Sequence, residues 1–267
     1  MNTTEPHIIV KDLTMSFGSD ILQHDLNFTV KRGDIFIIMG GSGCGKSTLM
    51  RHMIGLKAPT RGAVFYGSMN FWESEPQERD RMMRRCGIMY QSGALWSSLT
   101  LVENIALSLE LYTSLKPVEI REIASLKLAL VGLAGFEEYY PSEISGGMKK
   151  RAGIARAMAL DPELLFFDEP SSGLDPISAR LLDDLILELR ESLGTTVVVI
   201  THELASIFAI GTNSVFIDAV AKTMIASGDP KRLLKECAHP TVQNFLTRGE
   251  AKTEAHPGEV SASCFLA

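Results

Sequence analysis

Residues 35–47 constrain the fold of this chain more than any other segment. Ile35-Phe36-Ile37-Ile38-Met39 is a short unbroken apolar run, as expected of a strand buried on both faces. It leads directly into Gly40-Gly41-Ser42-Gly43-Cys44-Gly45-Lys46-Ser47. From residue 46 to residue 54 the spacing turns helical, and Gly55 stops it. Strand, glycine-rich turn and helix in that order fit the pattern G-x-x-x-x-G-K-[ST]. The glycines let main-chain N–H groups turn toward a common point, and the helix start adds its positive end. Such a segment cradles phosphate oxygens, with Lys46 reaching the outer phosphates and the Ser47 hydroxyl ligating Mg2+. The plainer reading is a glycine-rich turn with no ligand. Composition, spacing and strand–helix context all weigh against it.

A second buried strand, residues 164–167, ends in Asp168-Glu169. An acidic pair after a strand is more often a solvated helix start. Following a phosphate loop in the same chain, it supplies the complement: Asp168 for the Mg2+ shell and Glu169 as general base on an attacking water.

Composition sets outer bounds. The chain has 267 residues, 45% hydrophobic and 22% charged, with a net charge of −6. It therefore has apolar content enough for a core, and the acidic balance argues against a general nucleic-acid binder. Its most apolar window, residues 204–221, still contains Ser206, Thr212, Asn213, Ser214 and Asp218. No run approaches the about 20 apolar residues that a membrane helix needs, so a soluble chain is expected. Residues 1–11 lack the basic start and apolar stretch of a secretory signal. Cys44, Cys86, Cys237 and Cys264 form no C-x-x-C pair, so neither a disulfide framework nor a zinc site is expected. The last four residues, Cys264-Phe265-Leu266-Ala267, match a prenylation box in form only, since no polybasic segment precedes them.

Further strands are expected at residues 8–10, 26–30, 87–90 and 195–201, and helices over most of 102–133, from Ser145 to about 161, and over 177–193. Short helices should follow Gly228-Asp229-Pro230 and cover 242–246. Strands alternating with helices imply an α/β core with a parallel sheet, interrupted by a helical insertion.

Ile144-Ser145-Gly146-Gly147-Met148, together with the phosphate loop, Asp168-Glu169 and His202, resembles the nucleotide-binding domain of the ATP-binding cassette (ABC) family. The resemblance covers about residues 7–230. It implies an ABC-type P-loop NTPase core with an antiparallel β subdomain and a helical signature subdomain at about 92–160. Residues 1–230 would form the ATPase domain, 231–248 a helical extension and 249–267 a disordered tail. The implied cofactors are ATP and Mg2+. In the family each ATP lies between the phosphate loop of one subunit and the signature of another, so one motif set implies a homodimer or a paired paralogue. Gly40, Gly41, Ser42, Gly43, Cys44, Gly45, Lys46, Ser47 and Thr48 would hold the phosphates, with Ser145, Gly146 and Gly147 of the facing subunit. Phe17 would stack on adenine, and Asp175 in Ser172-Gly173-Leu174-Asp175 belongs to a loop at the dimer interface. Gln91 would sense Mg2+ and the attacking water, and His202 would contact the γ-phosphate.

Ser145 is also a good helix N-cap. Lys149, Lys150 and Arg151 then crowd the first turns, where the helix dipole disfavours cations. A bound polyphosphate or an acidic partner would justify them, but a solvated basic face is the expectation for at least two of the three.

Ile144 and Met148 replace the commoner leucine and glutamine, and Ser92-Gly93-Ala94-Leu95-Trp96 is apolar for a loop. With Pro141-Ser142-Glu143, Asp175-Pro176-Ile177 and Asn244-Phe245-Leu246-Thr247-Arg248-Gly249, these features look like the Mla/Mce-associated lipid-transport ATPases. That likeness implies a membrane permease as partner, meeting the chain around Leu95 and Trp96, unless Trp96 is core. It also allows a small regulatory subunit and a lipid-binding Mce-type protein, and places the chain on the cytoplasmic face of an inner membrane. An importer ATPase for an amino acid, metal or osmolyte is the alternative. A ribosome- or DNA-directed ATPase would typically carry two cassettes or a long insertion, and a non-catalytic nucleotide sensor would not need Lys46, Asp168, Glu169 and His202 together.

Overall fold

A computed structural model describes residues 5–249 and 264–266. The chain divides into two compact units, Met1–Glu75 with Ile200–Ala267, and Pro76–Val199. The first unit opens with β1 (Pro6–Phe17), β2 (Asp20–Lys31), β3 (Ile35–Met39), α1 (Lys46–Met53), β4 (Arg61–Tyr66) and β5 (Met69–Asn70). The second contains α2 (Pro76–Met83), β6 (Cys86–Met89), α3 (Leu101–Tyr112), α4 (Pro117–Leu130), α5 (Gly146–Ala157), β7 (Leu164–Asp168), α6 (Pro176–Leu193) and β8 (Thr196–Ile200). The chain then supplies the first unit with α7 (Leu204–Ile210), β9 (Asn213–Asp218), β10 (Thr223–Ser227), α8 (Pro230–Glu236), α9 (Pro240–Leu246) and β11 (Cys264–Phe265).

In the first unit β2-β1-β4-β5 form an antiparallel sheet, and four further strands run in the order β11-β10-β9-β3. β3 pairs with β9 in parallel and every one of its residues is buried, which is why its sequence is continuously apolar. The two N-terminal strands are longer than their apolar stretches suggested. A bulge interrupts the β1–β2 ladder between Val10 and Leu13, where Asp12 takes φ of 47°. Asn27 fills that bulge, accepting from the Asp12 N–H and donating to its carboxylate, both at 3.0 Å. The apolar window at 204–221 splits into α7 and β9, and no helix of the described residues is long and apolar enough to cross a membrane.

The second unit carries β8-β7-β6, with β6 and β7 parallel. Its helices have strong end signals. Thr100 and Glu103 form a reciprocal capping box on α3. α6 starts on Asp175 with Pro176 in its first turn and ends on Gly194 in the left-handed conformation. α5 lies directly on β6: a Cβ at Gly87 would sit 2.1 Å from the Ala157 carbonyl oxygen, so the strand needs glycine there.

Two expectations change. Residues 250–263 and 267, most of the expected disordered tail, lie outside the described residues, but Cys264–Phe265 form a parallel strand on β10. That pairing brings Cys264 to Cys237, and the two form a disulfide with a Cα–Cα distance of 5.5 Å. The cysteine spacing carries no sign of this bond, which depends on the pairing of β11 with β10. Cys44 and Cys86 are free.

Candidate functional site

The phosphate loop belongs to the first unit and is shaped by positions that only glycine tolerates. Gly40 has φ of 149°, and a Cβ there would lie 2.2 Å from the Ile217 carbonyl oxygen. Gly45, at φ 102°, is the N-cap of α1 and abuts the Leu22 side chain. Gly41 and Gly43 face open space, and Gly41, Ser42 and Gly43 are exposed. No side chain caps the first turn of α1 and no acid occupies it, which leaves that helix end suited to an anion. Lys46 is buried, its ammonium donating to the carbonyls of Gly40 at 2.9 Å and Gly41 at 3.0 Å. Ser47 and Thr48 follow in the first turn, half-buried. The cradle thus has the open backbone and the cation that a phosphate group requires.

A residue overlooked in the sequence braces this loop. Gln23, fully buried on β2, donates from one amide to the Cys44 carbonyl at 2.8 Å and to the Asp218 carbonyl at 2.9 Å. Cys44 itself is buried and its thiol lies 3.9 Å from the Lys46 ammonium. Burial pushes the Cys44 thiol pKa up, against the opposing pull of Lys46.

Phe17 and His202 also belong to the first unit. Phe17 is exposed, with the Lys57 ammonium 3.7 Å from its ring centroid. His202 follows β8, exposed, with Nε2 3.9 Å from a Glu203 carboxylate oxygen.

The remaining expected site residues lie in the second unit. Asp168 ends β7, and Glu169 follows it with φ of 50°, a left-handed conformation that costs a residue bearing a Cβ about 1–2 kcal/mol. The Gln91 amide donates to the Ser172 hydroxyl at 3.2 Å, and the Ser172 N–H donates to the Glu169 carbonyl at 3.2 Å. The structure therefore links Gln91, Ser172 and Glu169 in one chain of contacts. Ser145 caps α5, accepting from the Met148 N–H at 3.3 Å. Gly147 lies against Ser178 at the start of α6. Asp175 is committed to its own helix: it accepts from the N–H groups of Ile177 and Ser178 at 3.0 Å and from the Ser178 hydroxyl at 2.5 Å. These bonds, the Ser178 hydroxyl first, pull its carboxyl pKa below the ordinary value.

The expectation of a solvated basic face on α5 fails for two of its three cations. Lys150 is buried and donates to main-chain carbonyls of Gln91 and Glu169. Arg151 donates to the carbonyls of Val131 at 3.0 Å and Gly132 at 3.2 Å. Trp96 is exposed rather than core. Its loop is fastened by Asn104, which accepts from the Trp96 N–H at 2.7 Å and donates to the carbonyls of Trp96, Leu99 and Thr100. No cluster of three metal-ligating His, Cys, Asp or Glu side chains exists among the described residues. The Ser47 hydroxyl and the Asp168 carboxylate are hard oxygen donors, the type that suits Mg2+.

A phosphate cradle between β3 and α1, an acid-tipped buried strand and a serine-capped signature helix define an ATP-binding cassette. The chain belongs to the ABC transporter family, whose family model matches residues 23–172. It is 38% identical over 244 residues to the intermembrane phospholipid transport system ATP-binding protein MlaF of Haemophilus influenzae, covering 91% of each chain. It is also 38% identical over 239 residues to mkl of Mycobacterium tuberculosis, named a probable ribonucleotide transport ATP-binding protein. That match covers 90% of this chain but only 66% of mkl, so the chain spans just under two thirds of that relative's length. Among solved structures, the cassette MJ0796, dimeric and bound to ADP and Pi after hydrolysis, superposes with a TM-score of 0.74 at 28% identity, covering 82% of this chain and 97% of that one. The fold class expected from the sequence agrees with these cassettes.

Proposed function

We propose that this chain is the ATP-hydrolysing subunit of an ABC transporter that moves phospholipid or another hydrophobic substrate between envelope membranes. The observation that carries the catalytic half is the loop at 40–47, with its glycine-only backbone, uncapped helix start and buried Lys46. The lipid half rests on the likeness, over 91% of each chain, to the Haemophilus phospholipid-transport protein.

In this reading two copies of the chain enclose two ATP molecules, each between the phosphate loop of one copy and Ser145, Gly146 and Gly147 of the other. Lys46 and the loop amides hold the phosphates, and Phe17 offers its ring to the adenine. Ser47, Gln91 and Asp168 would hold Mg2+, which when bound neutralises phosphate charge. Glu169 takes the proton of the attacking water, while Gln91 and His202 orient that water and the terminal phosphate. The permease docks on the second unit, around Trp96 and a cavity of about 270 Å³ lined by Arg84, Tyr90, Tyr112 and Arg156. The chain thus sits at the cytoplasmic face of the inner membrane, with a small regulatory subunit and an Mce-type lipid carrier in the same assembly and no nucleic acid.

A second reading, import of a small polar solute, is favoured by the name of the mycobacterial relative. Reconstitution of the chain with its co-purifying permease in phospholipid vesicles separates the two. ATP-dependent movement of labelled phospholipid supports the first, and ATP-dependent ribonucleotide uptake without lipid movement supports the second. Phosphate release in the parent, with retained ATP binding but turnover reduced at least about 100-fold in Glu169→Gln, tests the catalytic assignment. Near-normal turnover in that variant removes Glu169 from its role.

A further inference from the structure

Lys150 has no role in the reading above, yet it is 8% exposed on a helix face otherwise expected to be solvated. A buried ammonium is costly unless each of its donors finds an acceptor. This one donates to the main-chain carbonyl of Gln91 and, at 3.3 Å, to that of Glu169. Burial lowers its pKa, while Glu169 and Asp168 pull it back up. Ammonium–carbonyl bonds are charge-assisted and stronger than neutral ones.

The two carbonyls belong to the two residues that the proposed function assigns to the attacking water. Glu169 is held at φ 50°, so its peptide orientation needs outside support. The same carbonyl accepts from the Ser172 N–H, and Ser172 in turn accepts from the Gln91 side chain. Lys150 therefore closes a ring: Gln91 is held through its carbonyl by Lys150 and through its amide by Ser172, and Glu169 is held by both.

Two other residues of α5 on the same helix face contact the loop after Gln91. Gly153 meets Gly93, where a Cβ would be 3.0 Å from the carbonyl oxygen. Arg156 donates to the Ala94 carbonyl at 2.8 Å. Residues 150, 153 and 156 are thus spaced to grip residues 91–94 as one surface. Of the three, Lys150 alone reaches beyond the loop to the acid.

We propose that Lys150 is a positioning residue for ATP hydrolysis, an internal cation that fixes the backbones of Glu169 and Gln91 in one geometry and couples both to the signature helix. This rests on the assignment of Glu169 and Gln91 to the hydrolytic step. Lys150 spends its bonds on the Gln91 and Glu169 carbonyls, so in this proposal its loss acts on the turnover rate and leaves nucleotide affinity intact.

Steady-state ATP hydrolysis by the full chain tests this in Lys150→Met, which keeps the length and removes the charge, and in Lys150→Arg, which keeps the charge. In Lys150→Met, kcat should fall about tenfold or more with KM changed less than about threefold, since small misplacements of a catalytic group cost that much. Lys150→Arg should recover most of the loss. In a Glu169→Gln background the same Lys150→Met change should cost clearly less than it does in the parent, because one of the two groups it positions is already gone. An unchanged kcat in Lys150→Met overturns the proposal. So does a KM that rises as kcat falls, an arginine variant as poor as methionine, or a full multiplicative loss in the double variant. If Lys150→Met shows no cooperative melting, Lys150→Gln against Lys150→Arg reads the same split. Near-normal turnover in Glu169→Gln defeats the assignment of Glu169 instead, which separates the two failures.

Discussion

Replacing Asn104 by alanine should loosen the Trp96 loop at a cost that can be worked out from its bonds. The side chain is fully buried. Its carbonyl accepts from the Trp96 N–H at 2.7 Å, and its amide reaches the carbonyls of Trp96 at 3.1 Å, Leu99 at 3.1 Å and Thr100 at 2.9 Å. One amide has two hydrogens, so those three contacts amount to two full bonds, and the acceptor adds a third. At about 1 kcal/mol net for each, alanine should cost about 3 kcal/mol. Aspartate keeps the acceptor but turns a donor into a charged oxygen facing three carbonyls, so it should cost more than alanine. Urea unfolding followed by tryptophan fluorescence measures the loss. Acrylamide quenching at low urea should also rise, because the exposed Trp96 ring would leave its fixed position. An alanine variant within about 1 kcal/mol of the parent would refute the view that this one side chain fastens the loop.

Gln23→Leu removes the brace under the phosphate loop while keeping the volume, and should raise KM for ATP about five- to thirtyfold, as expected for one or two lost hydrogen bonds of about 1 kcal/mol each. Equal nucleotide affinity in a binding titration would show that the loop holds itself. Thiol titration in denaturant should find two reactive cysteines without reductant and four with it, since Cys237 and Cys264 are bonded. In the native chain Cys86, its pKa pushed up to about 12 by burial, and Cys44, raised by the same cause, should alkylate slowly at neutral pH and faster as pH rises. Alkylation of Cys44 should abolish nucleotide binding, and unchanged activity after full modification would contradict its place in the loop. Asp175→Ala should lower the melting temperature at neutral pH. The folded-state carboxyl lies below the ordinary aspartate value of 3.8, so its contribution is complete above that pH and is lost only as pH falls through the depressed value. A gap between parent and variant that closes near neutrality would point to a different group.

The parts of the fold legible in the sequence are those whose causes are local. β3 could be read because burial on both faces makes it continuously apolar, and α6 because Asp175-Pro176 and Gly194 mark its ends. β1 and β2 show in the sequence only as short stretches because the bulge at Asp12 breaks the alternation that identifies a strand. β4 leaves no signal in the sequence for another reason: in Arg61–Tyr66 only Val64 and Tyr66 are buried, too few for a pattern. The Cys237–Cys264 bond depends on β11 pairing with β10, and no spacing of cysteines encodes that pairing.

The site divides along the same line, for a chemical reason. Residues proposed to meet the nucleotide carry their signal in side-chain type and spacing, as 40–48, Asp168, Glu169 and Ser145 do. Residues that hold the site together bond instead to main-chain carbonyls, which every amino acid has and which leave no trace in composition. Gln23 reaches the carbonyls of Cys44 and Asp218, 21 and 195 residues away in the chain. Arg151 and Arg156 hold the carbonyls of Val131, Gly132 and Ala94, and Lys150 those of Gln91 and Glu169. In a run such as Lys149-Lys150-Arg151, helix geometry sends each cation in a different direction, and only the packing of α5 on β6 decides which one turns inward. Inward-facing cations on a helix that begins at a nucleotide signature are therefore where support for the catalytic backbone should be sought, even when the sequence presents them as surface.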